Sequence, residues 1–283
     1  MTPAGRGLPA GAAVAAVVLL AWATPALAQG RDHLHDKLQV AGSGSLLLFN
    51  TDIRVDAANG DAGTEIDLED LGLGDNGSFG RFSLRWRPWR RQEFEVGWQF
   101  NRREDTIVLE EDVTFGDTTF NVGAEIKPRF YSDALTLTWR WAIHDGERFQ
   151  VGPTVGLGAL FLEPGIKVRV SAGGSETEER DFSTDLVGPI GTIGAYARGR
   201  IGEEWFWEAD VRGIYIPIDR FKAYEYDGGA AVRWFPFEKF GFEGGWAITG
   251  VRVDVEATAP EDRAIGRLRY NYTSFRLGGI WTP

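Results

Sequence analysis

The chain has 283 residues, a formal net charge of −11, no cysteine and a heavy share of glycine and aromatics, with 37 Gly, 11 Trp and 18 Phe. Without cysteine it has neither a disulfide framework nor thiolate chemistry. The acidic balance argues against nucleic acid and against electrostatic capture of anionic headgroups.

At the N-terminus Arg6 precedes an apolar run over 12–23, and Ala26-Leu27-Ala28 supplies a small-x-small cleavage site. A basic residue, a short apolar run and small residues in that order read as a secretory signal peptide over 1–28, because the run is too short for a membrane span. Residues 29–38 follow as a polar tail carrying His33 and His35. Downstream, the longest uncharged runs, 149–162 and 186–197, are rich in Gly and contain Pro, so neither suits a spanning helix. Residues 39–283 show no linker or break in composition and read as one all-β domain.

A first strand is expected over 39–55. Residues 56–75 form a loop with seven acids and no base, within which 64–72 offers a Thr cap and a Gly stop for one helical turn. The clearest pattern lies over 81–100. Phe82, Leu84 and Trp86 alternate with Arg81, Ser83, Arg85 and Arg87; after a turn at 88–91, Phe94, Val96, Trp98 and Phe100 alternate with Glu93, Glu95, Gly97 and Gln99. Side chains on a strand point to opposite faces with period two, so this is a hairpin with one apolar and one ionic face. Residues 105–128 read as a hairpin extension with a Gly116-Asp117 turn.

Next comes a strand over 129–143, in which Leu135, Leu137, Trp139 and Trp141 alternate with Ala134, Thr136, Thr138 and Arg140. A turn at 144–147 leads into 149–163, then a polar, acidic loop over 171–185. Strands over 187–201 and 204–218 flank a turn at 202–203, with Trp205, Trp207, Ala209 and Val211 facing opposite to Glu204, Glu208, Asp210 and Arg212. A loop at 219–223, a strand over 224–235, a turn at 236–238, a strand over 239–256, a loop at 260–264 and a last strand over 265–281 complete the chain.

That makes about ten strands whose links alternate between long or acidic and very short. Transmembrane barrels do this, with short periplasmic turns and longer outer loops, whereas a soluble sandwich has no reason to. Aromatic placement agrees. Trp86, Trp89, Trp139, Trp141, Trp205, Trp207, Trp234 and Trp281 lie beside the short turns or the C-terminus, and Tyr131, Tyr215, Tyr224, Tyr226, Tyr270 and Tyr272 lie toward the other strand ends. Two girdles separated by a strand length are expected of a membrane-spanning barrel.

On this alternation, these girdles and the closing Phe275-x-Leu277-x-Gly279-x-Trp281, the chain resembles the small bacterial outer-membrane β-barrels along essentially its full length after the signal peptide. The resemblance implies a single antiparallel barrel over 39–283, a periplasmic tail over 29–38, outer-membrane lipids and lipopolysaccharide as surroundings, and the barrel-assembly machinery as a partner in biogenesis. Barrel enzymes of this kind, the omptin-like proteases and lipid A deacylases, place a catalytic His near the outer rim. Here His33 and His35 belong to the tail and His144 to a short turn, where they read as solvated polar residues, so no enzyme activity, cofactor or metal centre is expected.

Two roles remain: a structural or surface-interaction barrel with a charge-filled lumen, or a narrow channel for small solutes or cations. The lumenal set comprises Arg81, Arg85, Arg87, Arg140, Arg198, Arg200, Arg212 and Arg233 with Glu93, Glu95, Glu208, Asp210 and Glu243. In so narrow a bore these should pair, Arg85 with Glu95 and Glu208 with Arg198 or Arg200. In the outer loops, Asp61, Glu65, Asp67, Glu69, Asp70, Glu110, Glu111 and Asp112 would offer oxygen ligands to divalent cations.

Overall fold

The structure, a computed structural model, describes residues 32–55, 65–67, 78–108, 113–115, 118–120, 123, 125–172, 176–183, 186–218, 221–255 and 265–283. The signal peptide read over 1–28 and, apart from Glu65 and Asp67, the loop acids named above lie outside the described residues.

Among these residues, ten long strands follow one another as β1 (Leu38–Val55), β2 (Ser78–Trp89), β3 (Gln92–Glu104), β4 (Glu125–Trp141), β5 (Phe149–Ala172), β6 (Leu186–Arg200), β7 (Trp205–Ile218), β8 (Phe221–Trp234), β9 (Phe240–Val255) and β10 (Ile265–Trp281). Each pairs antiparallel with its chain neighbours, and β1 pairs with β10 from Val40↔Trp281 to Val55↔Ile265. The sheet therefore closes into a ten-stranded barrel, which removes the two open edges that a flat sheet would expose. Arg90-Arg91, 142–148, 201–204 and 235–239 make the links at one end, where both described termini also lie.

Alternation along each strand sorts the side chains in or out. Leu46 and Leu277 are 76% and 77% exposed on the outer wall, in company with Phe82, Leu84, Leu137, Leu157, Ile193, Val211 and Phe275, while Arg85, Glu93, Glu95 and Arg140 are buried inside. This inverts a water-soluble protein, and it is the arrangement a hydrocarbon surround selects. Some glycines serve close strand approach: a Cβ on Gly152 would lie 1.8 Å from the Trp141 carbonyl oxygen.

Three local expectations are corrected. The helical turn expected over 64–72 is replaced at Glu65–Asp67 by a short strand on β1, with Asp52↔Asp67. β1 pairs with β2 only over Leu38 to Ser45, so its upper half keeps open ladder positions, and these outcompete an isolated helical turn whose nucleation is costly. The loop expected over 171–185 is instead a hairpin: β5 continues to Ala172 and pairs with Glu176–Ser183. Finally, residues 221–223 of the loop expected at 219–223 belong to β8, which stays paired with β7 to Ile218↔Phe221. The hairpin expected around Gly116-Asp117 is present, with Val113–Phe115 paired to Thr118–Phe120.

Candidate functional site

The bore is filled in layers. At the short-turn end a single 3-10 turn, His33–His35, folds across the mouth, started by Asp32, whose carboxylate accepts from the Leu34 backbone N–H at 3.2 Å. His33 and Leu34 are buried among Phe206, Phe235 and Ile280, and the His33 ring stacks on Phe235 at 3.9 Å between centroids. Its Nδ1 lies 2.8 Å from Asp36, and Gln39 donates to the His33 carbonyl at 3.2 Å. His35 faces Asp32 through Nδ1 and Asp145 through Nε2, the latter at 3.0 Å. The reading of these two as solvated tail residues is corrected: the tail provides polar groups at the spacing needed to satisfy a seat inside the barrel mouth. His144 is exposed in the short turn.

Asp145 clasps this turn to the β4–β5 link. Burial pushes its carboxyl up, but hydrogen bonds from His35, Gln150 and Arg90 hold it below its ordinary value. A carboxyl depressed in the folded state stabilises fully above its unfolded value of 3.8, and that stabilisation is lost as pH falls through the folded value. The turn should therefore stay seated at neutral pH and detach only as pH falls below 3.8 and through the lowered folded value. A spin label on Lys37→Cys should then become mobile in that window; mobility unchanged through it would contradict the clasp.

Above the turn lies the ionic layer. Arg85 reaches Glu95 at 2.8 Å, Glu208 at 2.9 Å and Glu93 at 3.1 Å. Arg140 meets Glu95 at 2.7 Å and Glu93 at 3.1 Å, Arg87 and Arg198 meet Glu93 at 2.8 and 2.9 Å, and Arg81 meets Glu95 at 2.7 Å. Arg233 bridges Glu208 at 2.9 Å to Glu243 at 2.8 Å, and Arg276 adds a contact to Glu243 at 3.0 Å. The expected Arg85–Glu95 pair is present. The expected pairing of Glu208 with Arg198 or Arg200 is corrected: although Arg198 is its ladder neighbour, Glu208 turns across the bore to Arg85 and Arg140 and meets Arg233 on the neighbouring strand β8. Cross-bore contact buries the charge among several guanidinium groups, which a pair on one wall cannot do. Arg200 lies outside the network and donates to the Gly202 carbonyl at the turn.

A more acidic layer follows. Arg212 meets Asp227 at 2.5 Å and Asp210 at 3.2 Å, and Thr249 donates to Asp227 at 3.0 Å. A chamber of about 60 Å³ opens here, bounded by Gln99, Thr136, Thr138, Thr192, Glu225 and Tyr272 among others. Over it, on the side of β10, β1, β3 and β4, sit Phe49, Phe130, Tyr270 and Tyr272, with the Arg103 guanidinium 4.0 Å from the Phe49 ring centre.

This placement corrects two of the girdle residues. Tyr270 and Tyr272 are buried in the bore, where Tyr270 Oη accepts from Asn101 at 3.2 Å, because they share the β10 face of Ser274 and oppose that of Phe275 and Leu277. Tyr215, Tyr224 and Tyr226 do stand exposed on the outer wall, with Tyr215 stacked on Tyr224 at 4.3 Å; Tyr131 is half-buried there and donates to Glu104. At the short-turn end Trp86, Trp89, Trp141, Trp205, Trp234 and Trp281 are exposed outward, and Trp139 and Trp207 are half-buried on the same face. Sequence reading missed Gln150, Asp227 and Arg276, all on inward parity, and also the outer-wall pair of Arg102 with Asp133 at 2.6 Å.

No protein-family model matches the chain, and no curated protein matches its sequence. Similar solved structures include the outer membrane protease OmpT of Escherichia coli, at 12% identity over 88% of this chain and 97% of that one, with a TM-score of 0.44. The toluene transporter TodX of Pseudomonas putida is 8% identical over 97% of this chain and 94% of its own, with a TM-score of 0.35. Ail, the attachment invasion locus protein of Yersinia pestis, is 10% identical over 86% and 99%, with a TM-score of 0.32. These neighbours are outer-membrane β-barrels with different roles, so function is argued from the bore itself.

Proposed function

We propose that this chain is an exported outer-membrane barrel whose bore is closed by its own paired charges, and that it serves a structural or surface-interaction role without enzymatic activity. The observation that carries this reading is the ionic layer: Arg85, Arg140, Glu93 and Glu95 side chains are 9%, 5%, 4% and 5% exposed and joined across the bore. Charges of both signs packed this tightly leave a cavity of only about 30 Å³ at their level, and separating them to open a wider path would expose unpaired charge in a narrow, low-dielectric space. The apolar outer wall and closed ladder support residence in a bilayer. The short-turn end then faces the periplasm and the long links face outward, toward lipopolysaccharide and the divalent cations that its phosphates recruit.

Planar-bilayer recording tests this. The wild type should be silent or flicker, and the Arg85→Ala, Glu95→Ala double variant should conduct more. Steady ohmic, cation-selective openings in the wild type would instead establish a channel.

A further inference from the structure

Among the described residues the ladder between β6 and β7 stops well short of the ends of its strands. β6 continues to Leu186 and β7 to Ile218, yet among the described residues their ladder ends at Ile193↔Gly213. Beyond that point each keeps its other partner, β6 with β5 to Leu186↔Leu162 and β7 with β8 to Ile218↔Phe221. Continued at the same offset, the missing ladder would set Pro189 against Pro217. Proline has no N–H to donate and is confined in sheets to edges and strand starts, so the sequence writes two edges into the middle of a closed wall. Immediately below the break the strands are in close contact: a Cβ on Gly194 would lie 2.0 Å from the Val211 carbonyl oxygen. Above it, Gly191 meets only the tip of a side chain, with Ile214 Cδ1 3.5 Å from where its Cβ would be.

Behind the break lies the chamber, which Ile190, Thr192, Arg212 and Glu225 line on this side. The ionic layer floors it, the buried tyrosines roof its far side, and the break faces it through the wall. Its volume of about 60 Å³ accommodates roughly four waters or a small polar head. Arg81 and Arg212 in its lining are paired to Glu95 and Asp227. Glu225, opposite Ile214 in the β7–β8 ladder, makes no hydrogen bond or ion pair among the described residues. On the outer wall at this level stand exposed Val187, Ile193 and Tyr215.

We propose that the break between β6 and β7 is a lateral doorway that admits a single-chain amphiphile with a primary-ammonium head from the outer leaflet. The head sits in the chamber against Glu225, and the chain stays in lipid beside Ile193 and Val211. A cationic head supplies the charge that Glu225 lacks, the threonines accept its remaining N–H groups, and a lateral route spares the chain any contact with the ionic layer.

This rests on the membrane reading above, and the test separates the two. Protein is reconstituted in phosphatidylcholine vesicles, and insertion is checked first by quenching of its tryptophans with brominated lipid. Dodecylamine and dicyclohexylcarbodiimide are then added, so that an amine held at Glu225 becomes an amide found by mass spectrometry. The expected result is a dodecyl adduct at Glu225, absent with ethylamine and absent in Glu225→Gln. Because the chain has no cysteine, a Thr192→Cys, Ile214→Cys pair bridged by a short bis-maleimide should abolish the adduct, whereas a bridged Ala197→Cys, Ala209→Cys pair inside the ladder should leave it. An adduct that survives the Thr192–Ile214 bridge, or that forms equally with ethylamine, overturns the doorway. So does an inserted protein with no Glu225 adduct. A protein whose tryptophans are not quenched fails the membrane reading instead.

Discussion

Truncating Arg85 to alanine should destabilise the folded protein by about 3–5 kcal/mol, because it leaves buried carboxylates without their shared partner. Arg85 is the hub that ties Glu95 and Glu93 on β3 to Glu208 on β7, with contacts of 2.8, 3.1 and 2.9 Å. Equilibrium unfolding in urea from lipid vesicles measures the loss. Removing Glu95 as well should cost less than the sum of the two single changes, since each deletion strands the other's charge. A loss for Arg85→Ala no larger than about 1 kcal/mol, typical of an exposed pair, would show that the bore is wet at this level.

The second large effect is expected on the opposite face of the same strands. Leu135→Arg, Val211→Arg or Val232→Arg should each cost about 2–4 kcal/mol if the wall meets hydrocarbon near the bilayer midplane. These residues are 50%, 63% and 42% exposed, so in water an arginine there would be nearly free. Thr136→Ala, one position along from Leu135 and facing the bore, should be milder. Comparing folding into vesicles with folding into a neutral detergent micelle checks the sign, and equal stability of the Arg variants with the parent would contradict a lipid-facing wall.

Strand number, inward and outward parity and the main charged residues were legible because period-two alternation is local and repeated ten times over. What escaped depends on distance. Tyr270 and Tyr272 were placed by their position near a strand end, although their parity with Ser274 already assigned them to the bore. Hairpin spacing assigns Glu208 to Arg198 or Arg200, whereas closure brings Arg85 within reach from the far wall, and nothing local in the sequence measures the bore. The β5 extension past Glu163 does alternate, with Ile166, Val168 and Val170 against Lys167 and Arg169, but its partner Glu176–Ser183 has Phe182 as its single apolar residue, so hydrophobic alternation marks just one arm of that hairpin. The seating of His33 required knowing that Phe206, Phe235 and Ile280 converge at one mouth, and they come from three separate stretches of chain.

That convergence sets an order of events. His33 stacks on Phe235, which immediately follows β8, and meets Phe206 on β7 edge-on, while Leu34 packs with both and with Ile280 on β10. The seat is therefore incomplete until the last strand has been laid against the first, a contact spanning nearly the whole sequence and thus among the slowest to form. The N-terminal turn can act only as a latch fastened after closure, so its docking reports that the ring is finished, and its release would leave the ring intact while uncovering the mouth.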